Sequence, residues 1–456
     1  MLAVPVRAEA PEAEGYTYVS DFSGNTKEDV TPGWRENAVG RWYQNADGTY
    51  PAGCWQKIDG HWYLFDERGY LLYGWQEKDG KRYYLDETGV MQIGWKELEG
   101  KWYFLGASGA MQTGWKQLAG RWFFFNDTGE MQIGWKTLGG KWYYFGEDGV
   151  MITGWREIDG RRRFFGESGA MQIGWMEMDG DKYYFDASGI VQTSFEKIDG
   201  NWYYFNEFGV MQTGWQAINE RMRYFDEEGV MQTGWQRIDG KWYYFKVAGG
   251  ELQTEWQQIN GRWYYFDPYD GTMQTGWTFV GGLWFFMDAS GAMQTGWMEY
   301  RGETYYLLEN GAMATGITEV DGVKYYFGPG GALRSGWKYV DGKWYYFNEN
   351  GVMQTGWLLA DGVWYYLNED GDMATGWMQI DGNPYYFNAG GAMASTEYVD
   401  GRWLSRNGTW SYPYIATWRK NAKGWWYGDE SGWYAKNQTL RIDGKMYTFD
   451  ANGYMV

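Results

Sequence analysis

The chain has 456 residues, with 40 Lys and Arg against 59 Asp and Glu and a formal net charge of −19 at pH 7, a field that repels phosphate backbones and anionic lipid and so excludes nucleic acid and membrane surfaces as partners. Aromatic residues reach 21%, with 33 Trp and 41 Tyr, beside 69 Gly and only 8 Pro, a pairing of bulky packing residues with tight turns that excludes a disordered chain. One Cys and one His leave no material for an internal disulfide, a Cys/His catalytic pair or a histidine metal site.

In chain order, residues 1–32 come first, beginning MLAVPVRAEAPEAEG. A short apolar stretch ending in Ala8-Glu9-Ala10 has the small-residue pattern that closes a secretory signal. Residues 1–32 are therefore expected to be a signal remnant with a short leader, and the protein to be secreted. No run approaches the roughly 18 apolar residues of a membrane span, so no membrane insertion is expected.

From Gly33 to Val456 the sequence is a repeat. Residues 94–153 read GWKELEGKWYFLGASGAMQT, GWKQLAGRWFFFNDTGEMQI, GWKTLGGKWYYFGEDGVMIT. About 21 such units of about 20 residues span 33–456, and a fixed short period overrides any domain count taken from length. Units near 33–54 and 397–456 are atypical and are expected to cap the array; within them, Gly33–Tyr50 and Thr417–Tyr434 resemble each other more than the middle. One-residue insertions occur near Ala248-Gly249-Gly250 and Tyr269-Asp270. Cys54 stands where other units place Gly and His61 where most place Lys or Arg, so both read as ordinary substitutions. The end DANGYMV carries no sorting motif, so attachment to a surface is expected to be non-covalent.

Each unit places two short strands around a two-residue turn, often Asp-Gly as at Asp159-Gly160, Asp239-Gly240, Asp341-Gly342 and Asp361-Gly362. That dipeptide favours a type I′ hairpin, because both turn residues need positive φ. Along the second strand Trp142 and Tyr144 point one way, Tyr143 and Phe145 the other. Tyr143, Phe145 and their equivalents are expected to be core. A lone hairpin is marginal in water, so burial must come from stacking. The expected fold is all-β, an elongated solenoid of stacked β-hairpin repeats. Gln92, Gln112, Gln212 and Gln232, in the recurring MQ-x-GW segment, belong in polar connections.

The pattern GW-x6-WYYF-x3-G-x-M-x-TGW resembles the choline-binding, or cell-wall-binding, repeat of Gram-positive surface proteins. The resemblance implies a left-handed solenoid that binds choline or phosphocholine on teichoic acids between consecutive hairpins. The site it implies is a box: the Gly-Trp tryptophan (the entry tryptophan), the hairpin tryptophan seven residues on, and an aromatic of the next hairpin, often closed by Met. The chemistry fits. A quaternary ammonium offers no hydrogen-bond donor and spreads its charge over methyls, so a cage of ring faces is its receptor, each ring contributing roughly 0.5–2 kcal/mol.

Taking the next hairpin's tryptophan as the third ring, complete boxes are Trp95, Trp102 and Trp122; Trp115, Trp122 and Trp142; Trp235, Trp242 and Trp263; Trp256, Trp263 and Trp284; and Trp337, Trp344 and Trp364. Trp34, Trp42 and Trp62 form a less regular sixth. Met111, Met131, Met151, Met273, Met293 and Met353 recur at the closing position. Elsewhere the hairpin tryptophan is replaced by Arg82, Arg162, Lys182, Met222, Thr304, Lys324 or Pro384, and the entry tryptophan by Phe195 or Ile317. Those units should bind choline poorly, a cation such as Arg162 either repelling the ligand or lying in the cage as a built-in substitute. Five or six working sites are expected.

No catalytic residue, metal ligand or cofactor site is expected, since the carboxylates fall in turns and no span of ordinary domain size lies outside the repeats. The alternatives are α-glucan binding, with the recurring Gln beside aromatic platforms, or the binding portion of a longer wall hydrolase or adhesin. Dimerisation through the terminal repeats is left open.

Overall fold

The computed structural model describes residues 31–456; residues 1–30, on which most of the expected leader falls, lie outside the described residues. All described regular structure is β, in 42 strands of three to five residues. Sequential strands pair antiparallel as hairpins, most of them isolated two-stranded sheets. The chain forms two compact units, one running to Ile218 and including Tyr224–Met231, the other made of Asn219–Arg223 and Gln232–Val456. Each is a stack of hairpins.

The turns form as the Asp-Gly pairs dictate, with Asp159 at φ 54° and Gly160 at 67°, and Asp239 at 50° and Gly240 at 80°. After the second strand, an Asp or Asn side chain organises the connection: Asp86 Oδ1 accepts the amides of Thr88 and Val90 at 2.9 and 3.0 Å. Gln92, Gln112 and Gln212 direct their Nε2 groups to connection carbonyls of the same unit, at 2.9–3.0 Å.

Two devices bind hairpin to hairpin. In the regular hairpins the last residue of the second strand is fully buried, as with Leu85, Leu105, Phe125, Phe145 and Phe165 in the first unit and Phe266, Phe327, Phe347 and Phe387 in the second. Most of these bridge to the residue six or seven positions on, as Phe145 does to Met151. The second device is main-chain. The carbonyl at the hairpin-tryptophan position accepts an amide from the connection after the next hairpin, Met131 to Trp102 and Met151 to Trp122 at 2.8 Å, and equally Met111 to Arg82, Met211 to Lys182 and Leu333 to Thr304. The connection glycines are fixed by this packing: Gly149 has φ 74°, and a Cβ there would overlap the Met131 sulfur.

Both terminal regions depart from the middle pattern. Asn37 Nδ2 donates to the Tyr70 hydroxyl and Asn421 Nδ2 to the Tyr454 hydroxyl, each at 3.1 Å, so the two similar segments share a tether. At the carboxyl end Glu397–Val399, Arg402–Leu404, Gln438–Ile442 and Lys445–Phe449 merge into one four-stranded sheet through a parallel bridge between Tyr398 and Ile442. Cys54 is a free, half-buried thiol whose pKa burial raises. His61 Nδ1 lies 3.1 Å from the Asp59 carbonyl at a hairpin turn.

Tyr398 and Tyr427 are buried in this closing core. Burial, and then Asp429 for Tyr398 and Asp443 for Tyr427, push both phenols far above the ordinary 10.0. A raised phenol favours the protonated, folded state, so its contribution is complete below pH 10 and is lost as pH climbs beyond it. Loss of the carboxyl-terminal sheet is expected above pH 10, and Tyr427→Phe should shift that transition to higher pH. Circular dichroism across an alkaline titration checks it, an unmoved transition counting against the assignment.

Candidate functional site

Cross-strand register decides which rings share a face. Trp95 pairs with Phe104 and Trp102 with Glu97, so both tryptophans lie on one face, diagonal to each other. Their ring centroids are 6.3 Å apart at 76°, and the same near-perpendicular pair recurs as Trp115–Trp122, Trp235–Trp242, Trp256–Trp263, Trp337–Trp344 and Trp357–Trp364, at 6.1–6.4 Å. The entry tryptophans are mostly half-buried while Trp122, Trp242, Trp263, Trp344 and Trp364 are each just over 40% exposed. Open ring faces of this size are what a cation receptor requires.

The third wall differs from the expected one. Trp95 meets Phe123 of the next hairpin at 5.0 Å, whereas register puts Trp122 on the opposite face of that hairpin, beside Trp115. The stack sets one face of a hairpin against the reverse face of the next, so the residue after the hairpin tryptophan supplies the wall. The same holds for Tyr143 against Trp115 at 5.1 Å, Tyr264 against Trp235 and Phe285 against Trp256 at 4.9 Å, and Tyr365 against Trp337 at 4.8 Å. Tyr143, expected as core, is half-buried at this wall, while its equivalents Phe123 and Phe285 are buried as expected. Trp357 and Trp364 gain Tyr385 at 4.9 Å, making a sixth three-ring cage that Pro384 in the tryptophan position had concealed.

Other expected groupings separate. Trp42 follows Trp34 by eight residues rather than seven and falls on the opposite face, paired with Arg35. The seventh residue is Arg41, its guanidinium 4.5 Å over Trp34. Trp62 and Trp55 are both buried core. Trp142 pairs with Trp135 at 6.1 Å, but their third wall is Arg163, buried, 5.1 Å from Trp135 and bonded to the Ile158 carbonyl at 2.9 Å. Trp284 rests against Phe279 at 5.1 Å, while its entry partner Trp277 meets Tyr305 at 5.0 Å.

Main-chain bonds tie each methionine's backbone to a hairpin position. Met131, Met151, Met273 and Met293 bond to the carbonyls of Trp102, Trp122, Trp242 and Trp263, and Met373 and Met393 to those of Trp344 and Trp364. Met111 and Met353 instead join Arg82 and Lys324, beside units without a tryptophan pair.

Several entry tryptophans face a cation of the chain itself, Trp377 with Arg402 at 5.1 Å among them. Besides Arg41, Arg82 lies 4.9 Å over Trp75 and Arg162 4.1 Å over Trp155, with Arg162 Nη1 donating to the Phe208 carbonyl at 3.0 Å. The built-in substitute is thus the arrangement adopted.

A family model described as "Choline-binding repeat" matches residues 52–93, 132–173, 192–233, 212–255, 232–274, 253–295, 274–316, 334–375 and 361–398, and one for a cell wall binding repeat matches 93–111, 113–131 and 173–191. No curated protein matches in sequence. Among solved structures, CbpJ from Streptococcus pneumoniae TIGR4 is 31% identical, with 65% of this chain and 100% of that one covered and a TM-score of 0.37. Choline binding protein F from Streptococcus pneumoniae is 33% identical over 62% of this chain and 98% of that one, TM-score 0.36. The choline-binding domain of CbpL from Streptococcus pneumoniae is 30% identical over 40% and 98%, TM-score 0.31. With the recurring unit, its register and the matched residues spread over more than half its length, the chain belongs to the choline-binding repeat family.

Proposed function

We propose that the chain is a non-catalytic secreted protein that attaches non-covalently to cell walls by gripping choline on teichoic acids, with residues 33–456 as the binding array. The observation that carries this reading is the six-fold recurrence of one cage, two perpendicular tryptophans walled by a third ring, with a solvent-open face. Three rings supply about 2–5 kcal/mol, which corresponds to a dissociation constant of roughly millimolar. One such site is weak; six on a polymer that carries many choline groups turn weak contacts into firm attachment through effective concentration. An Nε2 donor of Gln92, Gln112 and Gln212 is engaged by a connection carbonyl of its own unit, which favours choline over the α-glucan reading that assigned these side chains to a sugar.

Calorimetric titration with choline is expected to saturate near six per chain: the cages entered by Trp95, Trp115, Trp235, Trp256, Trp337 and Trp357. Saturation near one per hairpin, or no binding, overturns the assignment.

A further inference from the structure

Arg163 stands where most hairpins place an aromatic wall, and it is only 8% exposed. Its Nε donates to the Ser188 carbonyl at 3.2 Å, and its Nη1 to those of Ile158 and Arg161 at 2.9 and 3.5 Å. All three acceptors are neutral. Nη2 donates to none of them, yet it is not sealed from solvent. Arg223, at the same position three hairpins on, is buried too, but it is ion-paired with Glu251 at 3.1 Å. Register sets Arg156 directly opposite Arg163 and puts Arg161 on the same face. Like charges directly opposite repel, and among the described residues no carboxylate forms an ion pair with any of the three.

The preceding hairpin turns Trp135, Thr137, Trp142 and Tyr144 toward this face, and Trp142 is 48% exposed. The two facing surfaces therefore carry three cations and no acid. Glu157 and Arg162 lie on the reverse face, where Arg162 is already held by Trp155 and the Phe208 carbonyl. A buried guanidinium that meets only carbonyls keeps an uncompensated charge, which is costly, and an anion at the open Nη2 would offset it. Planar guanidinium forks match phosphate oxygens, and several of them around one point suit a tetrahedral oxyanion. The net charge of −19 does not bar such a local site, because the field of distant carboxylates is screened beyond about 8 Å at physiological salt.

We propose that the face formed by Arg156, Arg161 and Arg163, beside Trp142, binds a phosphate group. The proposal does not rest on the choline reading, since it uses none of the six cages. Hydrogen exchange of the full chain tests it, with inorganic phosphate, dimethyl phosphate and sodium chloride added in turn at matched ionic strength. Phosphate at about ten times its dissociation constant should slow the amides of residues 154–165 that open with the site by about tenfold, and chloride should not. Arg156→Gln combined with Arg161→Gln, both at exposed positions, should keep the fold and lose the effect. Protection by dimethyl phosphate assigns an internal diester, and protection by inorganic phosphate alone a free or terminal group. No protection, equal protection by chloride, or protection that survives the double substitution overturns the proposal.

Discussion

Replacing Trp102, Trp122, Trp242, Trp263, Trp344 and Trp364 together by leucine is expected to abolish retention on a choline-bearing matrix. Each substitution removes one of three rings, and simultaneous weakening of every cage removes the gain from multivalency, typically 10²–10⁴-fold in apparent affinity. The fold should survive, because most of these rings are over 40% exposed and the inter-hairpin bonds use their carbonyls, not their side chains. Elution from the matrix and a urea melt together read both halves. Retention by a folded sextuple variant would show that the cages are not the attachment sites.

Phe145→Ala has the opposite signature. Its ring is fully buried, lies 5.7 Å from Trp115 and its backbone bridges to Met151, so truncation leaves a cavity between hairpins and should cost about 3–5 kcal/mol. In an array where each repeat leans on its neighbours, the loss should be local first. Hydrogen exchange is expected to rise around residues 114–151, with choline affinity falling at the Trp115 cage. Trp142→Ala, a few residues away at a 48% exposed ring, should leave exchange there nearly unchanged. Equal effects from the two would contradict the division between spine and cage.

The hairpin, its turn and the paired tryptophans were legible in the chain because each depends on residues within one unit. Asp159-Gly160 states its turn through positive φ, and a spacing of seven across a two-residue turn puts Trp95 and Trp102 on one face. The third wall was not legible, because it depends on which face of a hairpin meets the next. Choosing Trp122 over Phe123 was a choice between alternate faces that only stacking settles. The same one-residue parity misassigned Trp42, where a longer turn shifted the register, and hid the Trp357 cage behind Pro384. The alternation of Trp122 and Phe123 held the needed signal once the stacking order was given.

The carbonyl that joins hairpins at the tryptophan position is offered alike by Trp102, Arg82, Lys182, Thr304 and Lys324. Architecture at that position is thus indifferent to side-chain identity, and selection can act on the side chain without first paying for a new scaffold. One codon change can shut a cage with arginine, reopen it with tryptophan or recast its charge with lysine. On the proposed choline reading, an array built this way would change its binding one repeat at a time while its remaining cages kept hold of the polymer.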